Sequence, residues 1–117
     1  MGMSPIPELQ QRQIDRWCER RVPAGQRGEY TVMSRWRGRI VTLVERRADR
    51  AGDGPAERPF AQLRYGLDEM WSLYYLADAG RWRPYPRSVP EISPVPLLDD
   101  LDRGAETGYF FQWLSPC

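Results

Sequence analysis

The sequence predicts an α+β fold, an antiparallel, meander-like sheet of about five strands packed with an N-terminal helix and a short C-terminal helix. Three observations carry that expectation. Apolar residues recur at spacings of three and four near the N-terminus. They then alternate with period two through the middle of the chain, and a leucine-bearing segment near the end restores helical spacing.

The first helix is expected at about 5–21. Ser4 is positioned to cap it, and Pro5 falls at the first helical position, where its missing N–H costs nothing. Ile14, Trp17, Cys18 and Arg21 form its buried stripe, with Ile6 and Leu9 on the same side, while Glu8, Arg12, Asp15, Arg16, Glu19 and Arg20 form a mixed-sign wet face. Pro23 and Gly25 stop it. A β block at about 29–46 follows as a hairpin. Centring its turn on Arg37 and Gly38 sets Tyr30 opposite Glu45, Val32 opposite Leu43, Ser34 opposite Val41 and Trp36 opposite Arg39. On the other face Glu29 then opposes Arg46 and Arg35 opposes Ile40, and Val32, Val41 and Leu43 are core candidates.

The stretch 47–59, charged and rich in Gly, Ala and Pro, reads as an exposed mobile loop between hairpins of a single domain, 1–117. The second β block spans about 60–85. Apolar matching there pairs Tyr65 with Trp71, Leu63 with Leu73 and Ala61 with Tyr75, leaving Gln62, Arg64, Ser72 and Tyr74 on the opposite side. A third strand, Arg81 to Tyr85, follows the turn Asp78-Ala79-Gly80. That turn pairs Tyr75 with Arg83, whereas a loop one residue longer pairs Tyr75 with Trp82; Pro84 marks an edge in either case. Five prolines between Pro84 and Pro96 imply an extended crossing before a short helix at about 94–103. Leu97, Leu98 and Leu101 line that helix, Asp99, Asp100 and Asp102 face water, and 108–114 is a final aromatic segment that either adds a strand or covers the sheet.

Composition narrows the function classes. The 117 residues suit one domain, and five Trp and six Tyr supply much of its burial. All 17 basic residues are Arg, yet the net charge is only +1, which gives no general attraction to nucleic acid or an anionic membrane. With no histidine, Ser-His-Asp, Cys-His and His-ligated metal chemistry are excluded. Two cysteines, Cys18 and Cys117, are too few for a disulfide framework, no secretory h-region is seen at the start, and no apolar run approaches the roughly 20 residues of a membrane span. The expected setting is cytoplasmic.

Trp17-Cys18 with Arg21 and Pro23, Glu45-Arg46-Arg47, Ala61-Gln62-Leu63-Arg64-Tyr65, Trp71 with Leu73 and Tyr74, Asp78 with Gly80, and Trp82 with Tyr85 are distinctive as a combination. Together with the leucine-bearing helix they make the chain, from Leu9 to about Phe111, resemble an uncharacterised bacterial family, domain of unknown function 3024. The resemblance implies the fold and no activity. The Gly-rich loop after Arg47, and Tyr75 where that family is expected to carry Trp, are departures.

No phosphate loop, EF-hand or CxxC pair is present, and no cofactor or metal is expected. Glu45 is a general-acid candidate if buried, with an ion pair or a hydrogen bond to Tyr30 or a neighbouring Arg as the structural alternative. The remaining signal is Arg interleaved with aromatic residues at Arg35-Trp36-Arg37-Gly38-Arg39 and Arg81-Trp82-Arg83-Pro84-Tyr85. The candidate partner-binding residues are therefore Arg35, Arg37, Arg39, Arg64, Arg81, Trp82 and Arg83. Such strings suit a protein partner, where Trp and Arg are common hot spots, or a nucleic acid, where rings stack on bases. Alternatively, the rings turn into the core while the arginines face water. The expectation is a non-enzymatic interaction module for a protein partner; a nucleic-acid binder and a small carboxylate/Arg enzyme are the alternatives. The edge strand at Arg81 to Tyr85 also offers pairing with a second copy.

Overall fold

A computed structural model describes residues 6–21, 30–48 and 56–104. Its elements are α1 (Glu8–Arg21), β1 (Tyr30–Arg37), β2 (Ile40–Arg47), β3 (Ala56–Tyr65), β4 (Trp71–Leu76), β5 (Trp82–Pro84) and α2 (Val95–Gly104). The five strands form one antiparallel meander in chain order, and both helices pack on the same side of it, α1 chiefly on β1 and α2 on β4. The chain is thus α+β, as its periodicities require.

Helix α1 begins later than expected. The carbonyl of Pro7 accepts the backbone N–H groups of Gln10 and Gln11 at 3.0 and 3.1 Å, so Pro7 is the residue flanking the first turn. The expected cap at Ser4 and Pro5 lies outside the described residues. Ile14, Trp17 and Cys18 are buried as the spacing requires, whereas Leu9 is exposed.

The first hairpin differs from its expected register by two residues. Its loop is Gly38-Arg39, with Gly38 at φ 59° and Arg39 outside the positive-φ region, the pattern of a turn with Gly at its first central position. Every pairing therefore slides. Tyr30 faces Arg47, Val32 faces Glu45, Ser34 faces Leu43, Trp36 faces Val41, and Arg35 meets Thr42 rather than Ile40. A slide of two preserves the faces, so Val32, Val41 and Leu43 are still in the core.

Strand β3 starts at Ala56, which makes the expected loop at 47–59 shorter at both ends: Arg47 pairs with Ala56 and Val44 with Pro59. The irregularity that hides this strand in the sequence is a bulge. Leu43 faces Ala61 while the adjacent Val44 faces Pro59, leaving Phe60 without a partner residue. A bulge is also where an interior strand tolerates proline. Phe60 and Ala61 are both buried, and the Phe60 ring lies 6.4 Å from that of Trp17.

The β3–β4 register is the expected one, with Ala61 opposite Tyr75, Leu63 opposite Leu73 and Tyr65 opposite Trp71. At the next turn Tyr75 pairs with Arg83, the shorter of the two expected loops, with Gly80 at φ 71° and Ala79 also left-handed at φ 66°. Strand β5 keeps only Trp82–Pro84, although the Tyr85 N–H still donates to the Leu73 carbonyl at 2.9 Å. The proline-rich crossing then returns along the sheet, where Trp71 and Glu91 exchange backbone hydrogen bonds of 2.7 and 2.9 Å. Gln10 of α1 ties it down, donating to the Ile92 carbonyl at 2.9 Å and accepting from the indole N–H of Trp71 at 2.8 Å.

In α2 Leu97, Leu98 and Leu101 are buried as expected. Its acidic side is less idle than the sequence suggests: Asp102 accepts the Trp17 indole N–H at 3.2 Å, and Asp100 accepts the Ser88 hydroxyl at 2.6 Å. The aromatic segment 108–114 lies outside the described residues.

Candidate functional site on the open sheet face

With both helices on one side, the other side of the sheet is open among the described residues. Strand alternation and register decide what lies there. Arg37, Ile40, Arg64 and Ser72 form one row across the sheet, and Arg35, Thr42, Gln62, Tyr74 and Pro84 form the next. Beyond the bulge come Met33, Val44 and Pro59, then Thr31, Arg46 and Glu57, with Leu76 beside Trp82 at the far edge.

The middle of this face is a connected polar array. Gln62, only 8% exposed, donates from its amide to the Thr42 hydroxyl at 3.1 Å and accepts the Nε–H of Arg64 at 2.8 Å. The Arg64 guanidinium lies over the Tyr74 ring at 3.9 Å, within cation–π range. The amide and the ring thus hold Arg64 from one edge and from below. Nearer the β1 edge, one terminal nitrogen of Arg35 donates to both carboxylate oxygens of Glu57 at 2.6 and 2.7 Å, and Arg46 stands 3.9 Å from the same carboxylate. The Arg35 hydrogen bond, followed by the charges of Arg35 and Arg46, outweighs desolvation and lowers the Glu57 pKa.

The bulge at Phe60 allows this arrangement by exchanging the faces of the residues before it. Without it, strand alternation from Ala61 would send Glu57 to the helix side and Arg58 to the open side. With it, Glu57 reaches Arg35 on the open face and Arg58 turns inward to Glu45, at 3.5 Å. Glu45 is 0% exposed, so none of it is open to a substrate, and its geometry is that of a structural ion pair. Burial first, then the neighbouring Glu45 charge, raises the pKa of the Tyr30 hydroxyl beside it.

The seven residues singled out in the sequence are not brought together. Arg35, Arg37, Arg64 and Trp82 share the open face. Arg39 is used by the fold: its Nε donates to the Tyr65 carbonyl at 3.0 Å, a terminal nitrogen donates to Gly66 at 2.7 Å, and its guanidinium lies 4.8 Å from the Tyr65 ring centre. Arg81 is exposed beside the turn, and Arg83 pairs with Tyr75 on the helix side. Trp36 turns inward and meets Trp71 edge-on at 6.5 Å. Thr42, Gln62, Glu57 and Tyr74 were not singled out; the signal for Gln62 and Tyr74 was that their parity matches that of Arg64.

A second concavity, of about 330 Å³, lies between α1 and α2 and is lined by Trp17, Arg20, Arg21, Asp99 and Asp102. Its two arginines and two aspartates cancel, and Asp102 is already engaged by Trp17 and, at 3.9 Å, by Arg21. Among the described residues no three potential ligands cluster to hold a metal, and no helix is long and apolar enough to cross a membrane.

Fold and site together define a small α+β unit, a five-stranded meander backed by two helices, with an Arg- and aromatic-bearing face that no described element covers. The chain belongs to the family described as Domain of unknown function (DUF3024), which matches residues 3–112. Neither the curated proteins nor the solved structures contain a match.

Proposed function

We propose that this chain is a non-enzymatic interaction module that receives a partner protein on the open face of its sheet. The observation carrying this reading is the ordered Thr42–Gln62–Arg64–Tyr74 array, in which a buried amide and a ring hold an arginine on a surface that no described element covers. Holding a long side chain in place before binding lowers the entropy lost on association, and Arg, Tyr and Trp are the residues that dominate interface energetics. The bacterial cytoplasm is the setting that suits it, since the buried thiol of Cys18 is unpaired.

The nucleic-acid reading has less support. Of the rings in the Arg-aromatic strings, Trp36 is packed on Trp71, and the open face's Tyr74 is already covered by Arg64, so bare stacking platforms are few. Pairing of two copies through β5 would have only Trp82–Pro84 to work with, and Pro84 lacks an N–H.

Affinity capture from native lysate tests the proposal, using the wild-type chain and the variants Arg37→Glu and Arg64→Glu with their melting temperatures checked. A protein retained by wild type and lost with either folded variant is the expected result. Equal retention of every captured protein by all three chains overturns it.

A further inference from the structure

We infer that the partner segment received by this face is acidic, and that Arg64 is the anchor for one of its carboxylates. The inference deepens the interaction-module reading and rests on it. Its first support is charge. The described open face carries Arg35, Arg37, Arg46 and Arg64 against Glu57, so four cations facing one anion leave +3, on a chain whose total is only +1. The positive charge is therefore concentrated on the side that no described element covers, where it attracts acidic segments and repels basic ones.

The second support is geometric. Arg64 uses Nε on Gln62 and its π face on Tyr74, while neither of its terminal nitrogens has a partner among the described residues. A guanidinium held by one edge and one face keeps its outer edge for a planar acceptor, and a carboxylate is the acceptor that this fork fits with two parallel hydrogen bonds. The third support is a carboxylate already on this face. Glu57 sits on Arg35 at 2.6 and 2.7 Å with its pKa lowered by that contact, so the surface stabilises an ionised carboxylate at its surface. Ile40, paired with Arg64, is half-buried, and so are Leu76 and Trp82 at the far edge of the same face, which gives an acidic segment apolar ground at both ends of its path.

Fluorescence anisotropy at low salt provides the test, with a short labelled peptide alternating Glu with Leu, its Gln and Lys counterparts, and a single-stranded oligonucleotide. The expected result is saturable binding of the Glu peptide. The Gln peptide should bind at least about tenfold more weakly and the Lys peptide not at all. Arg64→Lys keeps the charge and loses the fork, so it should weaken the Glu peptide about tenfold, while Arg16→Lys on the exposed face of α1 should leave it unchanged. Equal binding of the Glu and Gln peptides, or an Arg64→Lys variant that binds as wild type, overturns the carboxylate anchor while leaving a protein-docking face in place. Binding of the oligonucleotide with no binding of any peptide overturns both the anchor and the protein-partner reading.

Discussion

Arg58→Leu tests the packing logic that sets up both faces of the sheet. Arg58 reaches the interior only because of the bulge at Phe60, and there it stands 3.5 Å from Glu45, a carboxylate with 0% exposure. Coulomb's law at an effective dielectric of about 20 gives roughly 4–5 kcal/mol of attraction at that distance. Desolvation of both ions offsets much of this, so the pair adds little compared with an apolar pair of similar shape. Removing one member is different, because the carboxylate is left buried without this counter-charge, at a cost of about 3–5 kcal/mol. Against a domain stability of roughly 5–15 kcal/mol, that is a large fraction. Urea unfolding followed by tryptophan fluorescence reads it directly. The double variant Glu45→Leu with Arg58→Leu should recover at least about 2 kcal/mol of the loss. A single variant that costs under about 1 kcal/mol, or a double variant that loses the sum of its singles, would refute the argument that the bulge turns Arg58 inward to meet Glu45.

Other perturbations probe separate parts of the structure. Phe60→Ala should cost about 3–5 kcal/mol, since the bulged ring is fully enclosed against Trp17, and a cost under about 1 kcal/mol would show that it points outward. Burial, followed by the charges of Asp15 and Glu19, pushes the Cys18 thiol up from 9.0 to about 12. A raised pKa means that the folded state holds its proton while the unfolded thiol ionises. The associated stability is therefore complete below about pH 9 and lost as pH rises through about 12, a decline that Cys18→Ala should flatten in unfolding curves recorded across that range. Glu57 titrates in the opposite sense: its lowered pKa gives stability above the usual carboxylate range that is lost on acidification. Arg35→Gln should raise that pKa when it is followed by NMR, and an unchanged titration would remove the Arg35 contact. Gly38→Ala meets no atom within 4 Å and should cost only the left-handed backbone penalty, about 1–2 kcal/mol, by thermal unfolding.

How far the sequence reveals this structure depends on whether apolar pattern or local backbone geometry decides each feature. The β3–β4 register was legible because a one-residue error would have buried Arg64 and exposed Leu63. The β1–β2 register was not, since a slide of two keeps Val32, Val41 and Leu43 inside, and only the position of Gly38 within the turn separates the two arrangements. The sequence pattern places the start of β3 four residues late because its first part, Ala56-Glu57-Arg58-Pro59, lacks alternation and contains proline, and the bulge that admits it leaves no period-two signature. The same bulge hid the site chemistry. Neither Glu57 on Arg35 nor Arg58 on Glu45 follows from regular alternation, so the sequence named Arg35 without the carboxylate that holds it, whereas Gln62 and Tyr74 beside Arg64 follow from the regular β3–β4 pairing. Arg39 was singled out for its neighbours in the string, yet a hairpin end that lies against Tyr65 and Gly66 takes its donors for the backbone.

The most direct measurement of the central claim is an NMR titration of the chain, at 13.7 kDa within easy reach of the method, with the alternating Glu-Leu peptide. Backbone amides and the arginine Nε–H signals report which side of the sheet is occupied. The expected result is a set of concerted shifts at Thr42, Gln62, Arg64 and Tyr74, with the Arg64 Nε–H among the largest and the α1 and α2 amides unmoved. Shifts confined to Trp17, Arg20, Asp99 and the other residues between the helices would contradict the open sheet face as the binding surface.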